Sequence, residues 1–272
     1  MMTLRLLALW LAFATAALAA DLRIATLNCF LLFKPGIEHR GQLDNANPLT
    51  PGQYGEKIAN LLTLVSGAQF IGLQETGGRA EIEDLAAAGG YQWAFAKGRD
   101  TYTGQEVGAL YRLPGWKVII NGRVGALNAA VSKHLLVTAR KDAQTIHFLV
   151  VHLIRPIGEQ AAKHQHQLDC IAAWAREIIA REPASSVVIL GDTNHPTSTP
   201  ASSIYGIGQE AAPLHSPAAT HLNGQSYDRL VLVGDGAWNS TQIRRPPYGR
   251  KPNKSLTRVW TDHFALEAVL SY

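Results

Sequence analysis

The stretch Val187-Val188-Ile189-Leu190-Gly191-Asp192-Thr193-Asn194-His195-Pro196 constrains this chain most. Four consecutive branched apolar residues read as a strand buried on both faces, and Gly, Asp, Asn and Pro end it in an abrupt polar turn. A strand covered on both faces needs layers above and below it, so the chain must build an interior sheet. Asp192 and Asn194 then stand at a strand's carboxyl end. Side chains two apart on extended backbone project to one side, which aims this carboxylate and amide at a common point.

The same arrangement recurs along the chain. Leu22 to Leu27 is strand-like and delivers Asn28, Phe70 to Gln74 delivers Glu75, and Ile146 to Val151 delivers His152. Asp228 opens the apolar run Leu230 to Val233, and Asp262-His263 opens the final strand, Phe264 to Val269. Helices are expected where apolar residues recur at helical spacing: Ile58, Leu61, Leu62 and Val65, closed by Gly67; a short acidic one from Glu81; and a long one, Glu159 to Arg181, with Leu168, Ile171, Ala172, Ala175, Ile178 and Ile179 on one stripe. Short strands around residues 91–96, 107–112, 116–120 and 135–140, set apart by Gly, Pro and Asn, suggest antiparallel pairing. Residues 34–52 and 196–224 read as loops.

Composition bounds the rest. With 272 residues, 47% of them hydrophobic and 17% charged, the chain can bury a sizeable core. Residues 1–20, with one Arg, an apolar run Leu6 to Leu18 and an Ala17-Leu18-Ala19 small-residue pattern, are expected to be a signal peptide, leaving one domain over 21–272 and a secreted or periplasmic protein. No later segment reads as membrane-spanning. Losing Arg5 lowers the net charge from +4 to +3, so total charge says little. Its distribution says more: Arg244, Arg245, Arg250, Lys251, Lys254 and Arg258 share a stretch without an acidic residue, the mark of a loop that faces a polyanion. Two cysteines, Cys29 and Cys170, do not make a disulfide framework.

Together Asn28, Glu75, His152, Asp192, Asn194, Asp228, Asp262 and His263 form a parts list for attack on a phosphate ester. Carboxylate and amide oxygens suit a hard divalent cation, and histidine moves protons near neutral pH. In the segments Ile24 to Asn28, Gly72 to Thr76, Val150 to Leu153, Gly191 to Asn194, Tyr227 to Leu230 and Thr261 to His263, in this order, the chain resembles the endonuclease/exonuclease/phosphatase superfamily, the deoxyribonuclease I-like group. The resemblance implies a four-layer α/β/β/α sandwich of two packed mixed sheets flanked by helices, with the site at one edge.

By the same resemblance, Glu75 is the main ligand of Mg2+, with Mn2+ or Ca2+ as substitutes, and Asn28 and Asp262 are ligands or their neighbours. His263 is the catalytic histidine, oriented by Asp228. Asp192 and Asn194 position the attacking water and the phosphate, and His152 contacts a phosphate oxygen. Further candidates on the substrate side are Arg155, Glu106, Tyr111, Arg244 and Arg245; Tyr111 reads equally as sheet packing. His195 is a candidate third imidazole, which would invite a transition metal, whereas His164 and His166 read as surface residues. Cys29 and Cys170 are expected on opposite outer layers, unpaired. The implied activity is that of an exported, monomeric, metal-dependent phosphodiesterase acting on DNA or RNA without a protein partner. The alternatives are a sphingomyelinase-like or inositol-phosphate-type phosphoesterase, which would want an apolar wedge near Trp238 or Tyr248, and a non-catalytic binding module.

Overall fold

Two six-stranded sheets pack face to face in a computed structural model that describes residues 21–37, 48–99, 103–196, 203–211, 219–248 and 254–272. The expected signal peptide lies outside these residues. The first sheet contains β1 (Leu22–Leu32), β2 (Phe70–Thr76), β3 (Gln92–Ala96), β4 (Glu106–Tyr111), β11 (Ala237–Arg244) and β12 (Ala265–Ser271), in the order β11-β12-β1-β2-β4-β3. The second contains β5 (Lys117–Gly122), β6 (His134–Lys141), β7 (Gln144–His152), β8 (Ser185–Asp192), β9 (Gln209–Glu210) and β10 (Asp228–Gly234), in the order β5-β6-β7-β8-β10-β9. Helices α1 (Pro51–Leu64) and α2 (Arg79–Gly89) cover the outer face of the first sheet, and α3 (Gln160–Arg181) covers that of the second. A short α4 (Lys254–Val259) precedes the last strand. The α/β/β/α sandwich is the architecture expected.

Side-chain alternation sorts the core into three apolar layers. Ile24, Phe70, Val107 and Ala109 meet Leu135, Phe148, Val188 and Leu190 between the sheets. The Phe70 and Phe148 rings stack there with centroids 3.9 Å apart. Gly72 makes this approach possible, since a Cβ at that position would lie 2.8 Å from Leu190 Cδ1. Residues one step along each strand face outward. Leu27, Ile71 and Leu73 pack under Ile58, Leu61 and Leu85, and Val187 and Ile189 pack under Leu168, Ile171 and Trp174. Cys29 belongs to the first outer layer and Cys170 to the second; both thiols are free.

Each sheet has one parallel pair, β1 with β2 and β7 with β8, and the other neighbours run antiparallel. The carboxyl ends of those four strands, and the amino ends of β10 and β12, therefore gather at one edge. Two expectations change. The basic stretch is not one loop, because Arg244 ends edge strand β11 and Arg258 lies in α4; Arg250 and Lys251 fall outside the described residues. His164 is not a surface residue: it is 2% exposed, and its Nε2 lies 2.8 Å from the Thr193 carbonyl.

His134, fully buried at the start of β6, staples the turn before it. Its Nε2 accepts from the Val124 N–H at 2.9 Å, which leaves Nδ1–H to donate to the Val131 carbonyl at 2.9 Å. Burial, reinforced by the charge of Arg123, lowers its pKa from 6.5 to about 4. The unfolded chain thus binds a proton that the folded chain refuses, so this contribution to stability is complete above pH 6.5 and is lost as pH falls toward 4. It amounts to at most about 3 kcal/mol. Urea unfolding between pH 7.5 and 4 should show a steeper acid loss for the wild type than for His134→Gln, and equal slopes would refute the assignment.

Candidate active site

Strand register fixes half of the site. His152, Asp192 and Asp228 are direct partners across β7, β8 and β10, so their side chains emerge in a row on one face. Gly191 allows the close approach, because a Cβ there would stand 2.0 Å from the Val151 carbonyl oxygen. Asn194 arrives differently from the sequence expectation. It is not in extended backbone but in the left-handed region, at φ 52°. Its N–H donates to Asp192 Oδ1 at 2.8 Å, and its side-chain Nδ2 donates to the Leu153 carbonyl at 2.8 Å. An Asx-type turn, rather than strand alternation, places it at the site.

The first sheet supplies the other half through two irregularities. The β1–β2 pairing shifts between Asn28 and Leu32, and the β2–β4 pairing shifts between Gln74 and Thr76. Phe30, Leu31 and Glu75 take φ of 47°, 57° and 56°. Non-glycine residues held there cost about 1–3 kcal/mol each. The Phe30 N–H donates to Asn28 Oδ1 at 2.9 Å, and the fully buried Lys57 amine donates to the Phe30 carbonyl at 2.6 Å. Burial pulls the Lys57 pKa down to about 8, against the charges of Cys29, Asp262 and Glu75. Lys57 was invisible as a site residue in the sequence, where it reads as one more polar position on α1.

Asn28 joins the sheets. Its Nδ2 donates to Glu75 Oε1 at 3.1 Å and to Asp192 Oδ2 at 2.9 Å. With Oδ1 bound to the Phe30 N–H, Asn28 offers the carboxylates its hydrogens and has its oxygen turned away. Of the two expected roles, ligand or neighbour of the ligands, this geometry matches the second, with Asn28 as the bracket that spaces the acids. His152 Nε2 stands 3.9 Å from Glu75 Oε1 and 3.7 Å from Asp192 Oδ2.

His263 Nδ1 is 2.8 Å from Asp228 Oδ2, and its Nε2 is 3.8 Å from Asp192 Oδ2 and 4.0 Å from Asp262 Oδ1. Burial opposes charge on this ring, but Asp228, through its charge and hydrogen bond, and then Asp192 and Asp262 override it and raise the pKa to about 10. Burial also lifts Asp192 to about 6, with His263 opposing and Asp228 and Glu75 adding to the rise.

Glu75 and Asp192 in one cluster, and Asp262 in the next, offer the carboxylate oxygens that a hard divalent cation takes. Among the described residues none of the three is paired with Lys or Arg, and buried Asp262 Oδ1 has no hydrogen-bond partner. The donor atoms of Glu75, His152 and Asp192 lie close enough to share one ion, and those of His221, Asp262 and His263 cluster as closely. His221 is a residue the sequence reading missed. Its segment shows no periodicity, and nothing local marks the residue.

A cleft of about 650 Å³ opens over this cluster, lined by Lys133, Arg155, Thr103 and Gln105 and by the apolar Phe30, Leu31 and Ile157. Arg155 thus reaches the cleft. The remaining substrate-side candidates do not line it. Tyr111 is buried between the sheets opposite Phe70, at the far end of β4, and is packing. Glu106 Oε2 accepts from the Gly98 N–H and ties down the segment after β3. Arg244 is paired with Glu267 at 3.2 Å and donates to Ser66, while the Arg245 guanidinium lies over the Phe264 ring at 5.1 Å. His195 stacks on His164 at 5.6 Å instead of joining the site.

Removing the bracket should expose the repulsion it restrains. Asn28→Ala loses two hydrogen bonds to carboxylates, for a cost of about 2–4 kcal/mol in chelator. Asp192 already resists ionisation, so the stability gap between variant and wild type should widen as pH rises through about 6. Denaturant unfolding at pH 5 and pH 8 reads this directly; an equal gap at both would show that carboxylate spacing is not what Asn28 provides.

No protein-family model and no curated protein matches the chain by sequence. Solved structures do match in shape. D. rerio TDP2 complexed with a single-strand DNA product aligns at a TM-score of 0.61 and 13% identity, over 93% of this chain and 100% of that one. The human Nocturnin catalytic domain with bound sulfate aligns at 0.63 and 14%, over 92% and 94%. An endonuclease/exonuclease/phosphatase from Bacteroides vulgatus aligns at 0.56 and 16%, over 93% and 99%. Likeness at this identity is a likeness of fold, and the chain shares the fold of these three structures.

Proposed function

We propose that the protein is a divalent-cation-dependent phosphodiesterase that hydrolyses nucleic acid. The observation that carries this reading is that Glu75, His152, Asp262 and His263 line one cleft, with Asp192 beside Glu75 and His152, and Asp228 bonded to His263 behind them. Glu75 and Asp262 would hold the cation, and the chemistry it supplies when bound is neutralisation of the charge that grows on the phosphoryl oxygens. Asp228 fixes His263 by Nδ1 and leaves Nε2 facing the neighbouring carboxylates and the cleft. As an imidazolium, His263 can hold a phosphate oxygen and give its proton to the leaving oxygen. Asp192, with its pKa lifted to about 6, suits the reverse task of accepting a proton from water near neutrality. Asn194 and His152 border the same space. Lys133 and Arg155 give it a cationic wall, as a polyanion requires. The neighbour complexed with single-strand DNA supports the choice of nucleic acid.

Ile157 favours one second reading, a lipid headgroup phosphodiesterase. It is 70% exposed at the cleft, where an apolar wedge could meet a bilayer. Trp238 and Tyr248 form no such wedge. Trp238 packs against the inter-sheet core with Nε1–H on the Gln209 carbonyl, and the Tyr248 hydroxyl donates to the Thr261 carbonyl. No helix among the described residues is long and apolar enough to cross a membrane.

The test is hydrolysis of single- and double-stranded DNA, RNA and sphingomyelin vesicles, in Mg2+ or in chelator. Nucleic acid should be cleaved only with the cation and more slowly as salt rises. His263→Ala should lower kcat by about 10³-fold or more and Asp228→Asn by about 10²–10⁴-fold, as in other acid-oriented histidines. Turnover of vesicles alone moves the protein to the second reading; turnover of nothing, or activity indifferent to His263→Ala, sinks both.

We also propose export, which rests on residues 1–20 alone. Protein recovered from the periplasm or medium should begin at Ala20 or Asp21 by N-terminal sequencing; an intact Met1 there would contradict it.

A further inference from the structure

We propose that His221 is a positioning residue of the site: it holds one oxygen of Asp262 and so commits the other to the cation. This rests on the reading of the cluster as a cation site. The turn that carries His221 is zipped onto the segment before β12. Thr220 O accepts from the Phe264 N–H at 2.7 Å, the Leu222 N–H donates to Asp262 O at 3.0 Å, and His221 and His263 form an antiparallel bridge. The side chain is held as firmly. Its ring meets His263 edge-on, with centroids 4.7 Å apart at 85°, and touches Tyr227 on another side at 5.4 Å and 72°.

The hydrogen bonds define its tautomer. The Asn223 N–H donates to His221 Nδ1 at 3.0 Å, so the neutral ring carries its proton on Nε2, which donates to Asp262 Oδ2 at 3.3 Å. The ring is thereby a donor to the carboxylate and not itself a cation ligand, since an Nε2 lone pair would require a proton on the capped Nδ1. Asp262 Oδ1, by contrast, is buried without a partner and lies 4.0 Å from His263 Nε2. Asp262 is 22% exposed and sits in a loop, so without His221 it would be free to rotate toward water. An outer partner that orients a ligand carboxylate typically accounts for 10- to 100-fold in metal affinity.

The experiment is Mn2+ titration of the full chain, followed by the loss of the free-ion electron paramagnetic resonance signal, which needs no turnover. His221→Phe keeps the ring contacts and removes the donor; it should raise the Mn2+ Kd about tenfold or more, and His221→Gln, which restores an N–H donor, should return it to within about threefold. In an Asp262→Asn background His221→Phe should add nothing. The proposal is overturned if His221→Phe shifts the Kd less than twofold, if the shift persists in Asp262→Asn, or if the wild type binds no Mn2+ saturably. Should nucleic acid and lipid both go unhydrolysed while Mn2+ affinity follows this pattern, the proposed activity fails and the role of His221 stands.

Discussion

The site depends on one amide. Asn28 on the first sheet reaches Asp192, 164 residues away on the second, while it also holds Glu75. Without such a bracket two buried carboxylates would repel across a medium of low dielectric, and the sheets would separate or the acids would protonate. Fixing both acids through hydrogens on one nitrogen keeps them close and aimed at the same space. Hydrogen bonds to charged groups are among the stronger ones in a folded protein, and this pair sits where two layers must register.

Holding Asn28 in that pose requires strain, and the strain is localised. Phe30, Leu31 and Glu75 occupy left-handed backbone in two strands that are otherwise regular. The surrounding core over-determines these conformations: Leu27, Leu32 and Leu73 are buried on either side of them, and Lys57 reaches up through the outer layer to the Phe30 carbonyl. A buried amine beneath a group of acids also offsets their charge from below. The opposite side of the cluster is closed by Asp228, His263 and the turn bearing His221, while Glu75 and Asp262 open onto the cleft.

Much of this was legible beforehand. Apolar runs with polar residues at their ends located β1, β2, β7, β8 and β10 and the side chains that gather at one edge, because a strand buried on both faces leaves so clear a pattern. The helices followed from apolar spacing on α1 and α3. Residues that act through long-range neighbours were less visible. Arg244 looked like a free cation because Glu267, its partner, is distant in sequence and adjacent only through the β11–β12 pairing. His195 was weighed for the site on its closeness to Asn194, yet the turn directs it to His164, whereas His221, in a segment without periodicity, is the imidazole that joins Asp262.

The sequence by itself determined the layered sheet architecture, the strand ends that carry chemistry and the kind of chemistry those residues allow, since burial pattern and functional-group type are local properties. Only the tertiary structure decided that Asn28 brackets two acids, that Lys57 and His221 lie against the cluster, and that Tyr111, Glu106 and Arg244 do not line the cleft. These outcomes turn on strand register, on two bulges and on which side chain meets which across more than a hundred residues of chain. Distance and orientation in three dimensions set them, and no local pattern encodes either.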